Sequence, residues 1–193
     1  MTLSVDSPKA HELIARLDAA VGAAPDDAVR CRNVKRVLES LLRDGERFLP
    51  PDFCKPLPDV YARRLLHRDP KNRYTAVVMV WGKGQGTPLH DHAGMWCCEC
   101  VYQGVISVTS YSVRGGDPEK DLVSFEEEKT IRAGVGQAGA LIPPFEYHVL
   151  KNATDETAVT IHVYGGEMNH CHIFEPAGDN LYRRAFKELT YRS

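Results

Sequence analysis

No run of 18 or more apolar residues occurs in this chain of 193, which excludes a spanning helix of ordinary length. A charge excess is missing too: 24 basic against 26 acidic side chains leave a formal charge of −2. So weak a field gives nucleic acid or an anionic membrane no electrostatic hold, and neither is expected as a partner. The N-terminal stretch lacks the apolar core of a secretory leader and reaches its first charge at Asp6, so a cytoplasmic location is expected. Repeats, low-complexity tracts and a convincing linker are also lacking, which points to one domain over residues 1–193. Without a leader, the six cysteines (Cys31, Cys54, Cys97, Cys98, Cys100 and Cys171) read as reduced thiols rather than a disulfide framework. Cys97, Cys98 and Cys100 are too crowded for the spaced cysteine pairs of a structural zinc site.

What is present falls into two textures. Residues 1–70 read as mostly helical. Val34, Val37, Leu38, Leu41 and Leu42 follow the stripe of an amphipathic helix, and Leu13, Ile14, Leu17 and Val21 give a shorter version before it. Pro25-Asp26-Asp27 supplies a breaker and an N-cap between them. A proline-rich stretch from Pro50 leads into an expected short helix over about 59–67. Residues 71–193 are rich in Val, Ile, Thr and Tyr between Gly and Pro turns. Strands are expected at 74–81, 88–93, 96–103, 105–113, 121–132, 138–142, 147–151, 158–164 and 170–174. Short antiparallel strands in that number predict a sandwich or barrel, with the helices covering one end or face.

Histidines carry the chemistry. In a strand, residues two apart face the same side, so His90 and His92 project together while Asp91 turns away. His148 enters a later strand after the proline turn at Pro143-Pro144. Gly84-x5-His90-x-His92-x4-Cys97-x6-Gly104, followed by Pro143-x4-His148-x3-Asn152, resembles the two motifs of the cupins, whose fold is a small antiparallel β-barrel, a jelly roll with the metal inside. The usual cupin glutamate ligand is replaced here by Cys97, leaving three neutral imidazoles and open coordination positions. Imidazole suits several metals, so the ligands alone do not choose one. On 158–164, Thr160, His162 and Tyr164 share the face that looks into the barrel, where His162 is placed to hydrogen-bond and orient the Tyr164 hydroxyl. His170 and His172, flanking Cys171, are not expected to be ligands, nor are His11 and His67.

Further residues sharpen the likeness. Tyr61-Ala62-Arg63, Trp81-Gly82-x-Gly84, His90-Asp91-His92, Cys97, Gln103-Gly104, His148-x3-Asn152, Thr160-Ile161-His162-Val163-Tyr164 and Cys171-His172-x-Phe174 follow one another as they do in cysteine dioxygenases. The chain resembles that family over about residues 61–174. The resemblance implies a mainly β fold and Fe(II) held by His90, His92 and His148. It implies a small thiol and O2 as partners, and a sulfinic acid as product. It gives Arg63 the substrate carboxylate, with Arg64 as the competing assignment, and gives Tyr61 a supporting part there. Arg63 stands where enzymes for 3-mercaptopropionate carry glutamine, which favours cysteine as substrate. Tyr164, with His162 and Cys97, would face the reacting atoms. In animal members, the cysteine at the place of Cys97 is joined to the tyrosine at the place of Tyr164 by a thioether, whereas many bacterial members have glycine there. The resemblance thus leaves a Cys97–Tyr164 crosslink open. The competing readings are a dioxygenase for 3-mercaptopropionate or another small thiol, a zinc-dependent isomerase, and a cupin that only binds a small molecule. Oligomeric state is not legible.

Overall fold

The computed structural model describes residues 5–144 and 146–192. Two helices come first, α1 (Pro8–Gly22) and α2 (Asp27–Leu42). Ser7 caps α1 by accepting from the Ala10 N–H, with a proline opening its first turn, and Asp26 caps α2 by accepting from the Val29 N–H. Such caps satisfy amides that the first turn leaves without partners. A short 3-10 helix, Pro51–Cys54, follows.

Among the described residues eleven strands follow: β1 (Ala62–Arg68), β2 (Thr75–Trp81), β3 (Leu89–His90), β4 (Cys97–Gln103), β5 (Ile106–Gly116), β6 (Leu122–Ala133), β7 (Ala138–Leu141), β8 (His148–Lys151), β9 (Ala158–Tyr164), β10 (His170–Gly178) and β11 (Leu181–Glu188). One sheet runs β1-β2-β9-β4-β7, and the other six strands join edge to edge in a ring, β10-β11-β6-β5-β8-β3. All pairings are antiparallel. This is the expected mainly β jelly-roll barrel with N-terminal helices packed on it.

The five-stranded sheet is buried on both faces. Its outer face (Val78, Val80, Cys98, Cys100, Tyr102, Val159, Ile161 and Val163) packs against Leu13, Leu17, Val34, Leu38 and Leu42 of the helices. Its inner face carries Val77, Met79, Trp81, Cys97, Val101 and Tyr164 toward the barrel interior. Each fully buried aliphatic side chain contributes about 1.5–3 kcal/mol. That double burial explains why β2 and β9 are continuous apolar runs with a few polar residues on one face only.

Three expectations need correction. Residues 59–67 are not a helix: Ala62–Arg68 is strand β1, paired to β2 with Arg63 opposite Met79 and Arg64 opposite Val78. Its leucines and arginines suit a helix locally, but pairing with the apolar β2 overrides that preference. β11 was not expected at all; its alternation is masked by charge, and Asp179 and Asn180, both at positive φ, make the hairpin turn before it. β3 is only two residues long, and the chain turns at Ala93 (φ 51°) and Gly94 (φ 75°), so His92 lies beyond the strand rather than on it.

Candidate metal centre and substrate pocket

Backbone clamps set the loops around the centre. Asn152, fully buried, donates through Nδ2 to the carbonyls of Trp81, Gly82 and Glu156, while its own carbonyl accepts from the Gly84 N–H. The loop before the first histidines is thereby tied to the strand that carries the third. Gly104 closes β4 at φ 74°, where a Cβ would stand 3.0 Å from the Thr157 carbonyl oxygen, so only glycine fits.

His90 and His148 are cross-strand partners of β3 and β8, their ring centroids 4.7 Å apart. The His92 ring lies 5.1 Å from the first and 5.0 Å from the second. One nitrogen from each ring falls within 4.8 Å of the others. The surroundings sort the nitrogens. His90 Nδ1 is 3.0 Å from the Pro88 carbonyl oxygen, which leaves Nε2 for a ligand. Glu146 accepts from the His92 backbone N–H at 2.9 Å and stands 3.3 Å from its Nδ1. His148, 1% exposed, has no hydrogen-bond partner on either nitrogen among the described residues. An unsatisfied buried polar group costs about 1–3 kcal/mol, so such a ring marks a site built around another group.

The electrostatics agree with that reading. Burial, reinforced by the neighbouring His92, lowers His90 to about 3. Burial and the other imidazoles also push His148 well below its ordinary value. Neutral imidazoles are the form that binds metal. The three residues therefore fit a divalent transition metal, with three protein ligands and room for others.

The five-stranded sheet faces this centre with the remaining side chains. Strand alternation turns Arg63 into the barrel, 4% exposed, and Arg64 to the other face, where its Nη1 donates to the Phe53 carbonyl. Arg63 donates one Nη2 bond to the Met168 carbonyl at 3.0 Å and packs over Tyr191, while Nη1 is buried with no partner among the described residues. Tyr61 stacks on Trp81 at 4.7 Å. Arg63, Tyr61, His162, Tyr164, Met168, Cys171 and the three metal-site histidines line one cavity.

Cys97 and Tyr164 are direct cross-strand partners of β4 and β9, both buried on the inner face. Directly opposite residues stand about 4.5–5.5 Å apart at Cβ. Cys98 turns the other way, its Sγ reaching the Cys31 carbonyl. Burial pushes both the Cys97 thiol and the Tyr164 hydroxyl well above their usual values, so both are neutral.

The expected His162–Tyr164 hydrogen bond is not formed. Side chains two apart on a strand run parallel, and these rings stack at 5.9 Å with 18° between planes. His162 Nε2 instead meets Thr160 Oγ1 at 2.7 Å, and that hydroxyl also accepts from Trp81 Nε1 at 2.9 Å. The arrangement that uses the hydroxyl proton has Thr160 donating to Nε2, which puts the ring proton of His162 on Nδ1. The Tyr164 hydroxyl itself reaches Met79 Sδ at 3.8 Å, a weak acceptor.

Several residues of the site were not anticipated. Glu99 follows Cys97 by two on β4 and so shares its inward face; that period was available to find it. Glu146 precedes His148 by two, and its backing of His92 needed the fold. Lys187 lines the cavity from β11, opposite Cys171.

A jelly roll with three imidazoles converging inside it is a cupin-type metal centre. The chain belongs to the cysteine dioxygenase type I family, whose model matches residues 10–177. It is 25% identical to rat cysteine dioxygenase type 1 over 116 residues, 60% of this chain and 56% of the rat enzyme. With the human enzyme, identity is 24% over 150 residues, 77% of this chain and 72% of the human one. The alignment to the rat relative thus spans little more than half that protein's length. Among solved structures, the TT1209 protein from Thermus thermophilus is 16% identical with a TM-score of 0.44, covering 60% of this chain and 92% of that one.

Proposed function

We propose that this chain is an iron-dependent thiol dioxygenase that adds both atoms of O2 to the sulfur of L-cysteine, giving cysteine sulfinic acid. One observation carries the reading: a buried guanidinium with a free Nη1, Arg63, opens on the same cavity as the three imidazoles. That Nη1 is placed to donate a charge-assisted hydrogen bond to a substrate carboxylate in the cavity that the three imidazoles also line.

His90, His92 and His148 would hold Fe(II), which supplies Lewis acidity toward the thiol and redox chemistry toward O2. Three neutral imidazoles leave its double charge uncompensated, which favours an anionic sulfur. Arg63 fixes the carboxylate end, and Tyr61, stiffened by its stack on Trp81, borders that subsite. Tyr164 presents a neutral hydroxyl with only a weak acceptor in reach, free to donate to a substrate atom. His162, locked by Thr160, stacks on Tyr164 and fixes that ring's plane. Cys97 lies beside Tyr164 in register for a thioether, a bond that forms with loss of the thiol hydrogen and one ring hydrogen to O2. Free cysteines at all six positions suit a reducing compartment such as the cytoplasm.

A second reading, 3-mercaptopropionate, rests on one feature: no Asp or Glu among the described lining residues meets a substrate ammonium. Anaerobic loading with Fe(II), followed by O2 uptake with L-cysteine, 3-mercaptopropionate and 2-aminoethanethiol, separates the two. The proposal expects cysteine to be turned over most efficiently. Full occupancy by zinc without iron-dependent O2 uptake would place the chain among non-dioxygenase cupins.

A further inference from the structure

Each metal-site histidine needs a partner on the nitrogen that the metal leaves free, since that partner fixes the ring's tautomer and direction. His90 has the Pro88 carbonyl; His92 has the Glu146 carboxylate 3.3 Å from Nδ1, close but not hydrogen-bonded. His148 has neither nitrogen satisfied among the described residues, and the acid facing it is Glu99, with Oε1 at 3.9 Å from Nδ1. The other oxygen of Glu99 lies 3.6 Å from His162 Nδ1 and is itself buried without a partner among the described residues. The carboxyl therefore sits between two imidazoles, with one oxygen turned toward each.

The surroundings explain how it comes to be there. Glu99 is 8% exposed on the inner face of β4. Its cross-strand partner is Gly139, and both line a separate cavity of about 510 Å³. Leu150 borders both that cavity and the substrate pocket. Both gaps exceed a direct hydrogen bond, and a movement of less than about 1 Å closes either one.

We propose that Glu99 is the positioning residue for His148: it accepts from His148 Nδ1–H and so aims Nε2 at the metal, while its second oxygen steadies His162 of the substrate pocket. The proposal rests on the metal-site reading above. It restores a carboxylate to this cupin centre as a backing group, two residues beyond the position of the missing glutamate ligand. An acceptor oxygen is available whether or not the carboxyl is ionised.

The test is Fe(II) retention against a competing chelator, measured anaerobically without thiol on the full chain and on Glu99→Leu and Glu99→Gln. Loss of a backing partner of this kind typically weakens metal binding by about 10–100-fold, and that is expected of Glu99→Leu. Glu99→Gln keeps an acceptor oxygen in place and should recover most of the loss. Melting of the metal-free proteins supplies the control. Glu99→Leu removes a buried, incompletely paired carboxyl and should melt no lower than the parent. Retention by Glu99→Leu equal to the parent's, or a metal-free Tm that falls in step with iron affinity, overturns the role of Glu99 alone. A parent that retains no Fe(II) overturns the iron reading with it.

Discussion

Replacing Arg63 by glutamine tests how the pocket reads its substrate. Its Nη2 is already spent on the Met168 carbonyl, and the buried Nη1 is the donor left for a ligand. Hydrogen bonds to charged groups contribute about 1.5–3 kcal/mol, so losing the guanidinium should raise the KM for L-cysteine by roughly 10–150-fold. Arg64→Gln is the internal control. That side chain faces the helical layer and donates to Phe53, so its KM should stay within about twofold, as for changes remote from a site. A second control is chemical: 2-aminoethanethiol lacks the carboxylate, and Arg63→Gln should leave its weak turnover unchanged. O2 uptake by iron-loaded protein measures all three, with melting curves to show that Arg63→Gln is folded. An unchanged cysteine KM in Arg63→Gln, or a rise in Arg64→Gln instead, refutes the assignment.

His148→Ala should lose iron retention by metal analysis, because two imidazoles make a weak site. Tyr164→Phe should keep its metal while turnover falls, read as O2 uptake per sulfinic acid formed. If Cys97 and Tyr164 become joined, intact mass after turnover drops by two hydrogens, and Cys97→Ser removes the change; an unaltered parent mass contradicts the thioether. In the metal-free protein, stability should peak near pH 6.5. His90, His148 and His162 all have lowered values and stay neutral when folded, whereas Glu99, raised by burial to about 8, keeps its proton. Below about 6.5 the unfolded chain takes up protons that the folded histidines refuse, so stability falls with acid, less steeply for Glu99's opposing effect. Above it, Glu99 costs about 1.4 kcal/mol per unit up to pH 8. Denaturant midpoints between pH 5 and 8 check the sign; a flat profile would contradict it.

The barrel was legible because double burial writes itself into sequence. Strands β2 and β9 are apolar runs with few exceptions, and those on β9 (Thr160, His162 and Tyr164) turned out to lie on the inner face, His162 and Tyr164 lining the metal-site cavity and Thr160 the separate one. His90, His92 and His148 were found through spacing, though His92 reaches the centre from a turn rather than from the strand that the period-two argument assumed. Strand β1 was misread because Arg63-Arg64-Leu65-Leu66 satisfies helical preference locally, and only pairing with β2 decides otherwise. The error had a consequence: on a strand, adjacent arginines must face opposite sides, so Arg63 faces the cavity and Arg64 the helical layer. Strand β11 hid behind its charges, and Lys187 was hidden with it. The His162–Tyr164 contact failed for a reason of the same kind, since parallel neighbours on one strand stack sooner than they bond edge to edge.

The measurement that bears most directly on the account is isotopic. Anaerobically iron-loaded protein, given L-cysteine and heavy-isotope dioxygen, should yield cysteine sulfinic acid with both of its new oxygens labelled. Oxygen drawn from water, or cystine as the sole product, would contradict a thiol dioxygenase built on these three histidines.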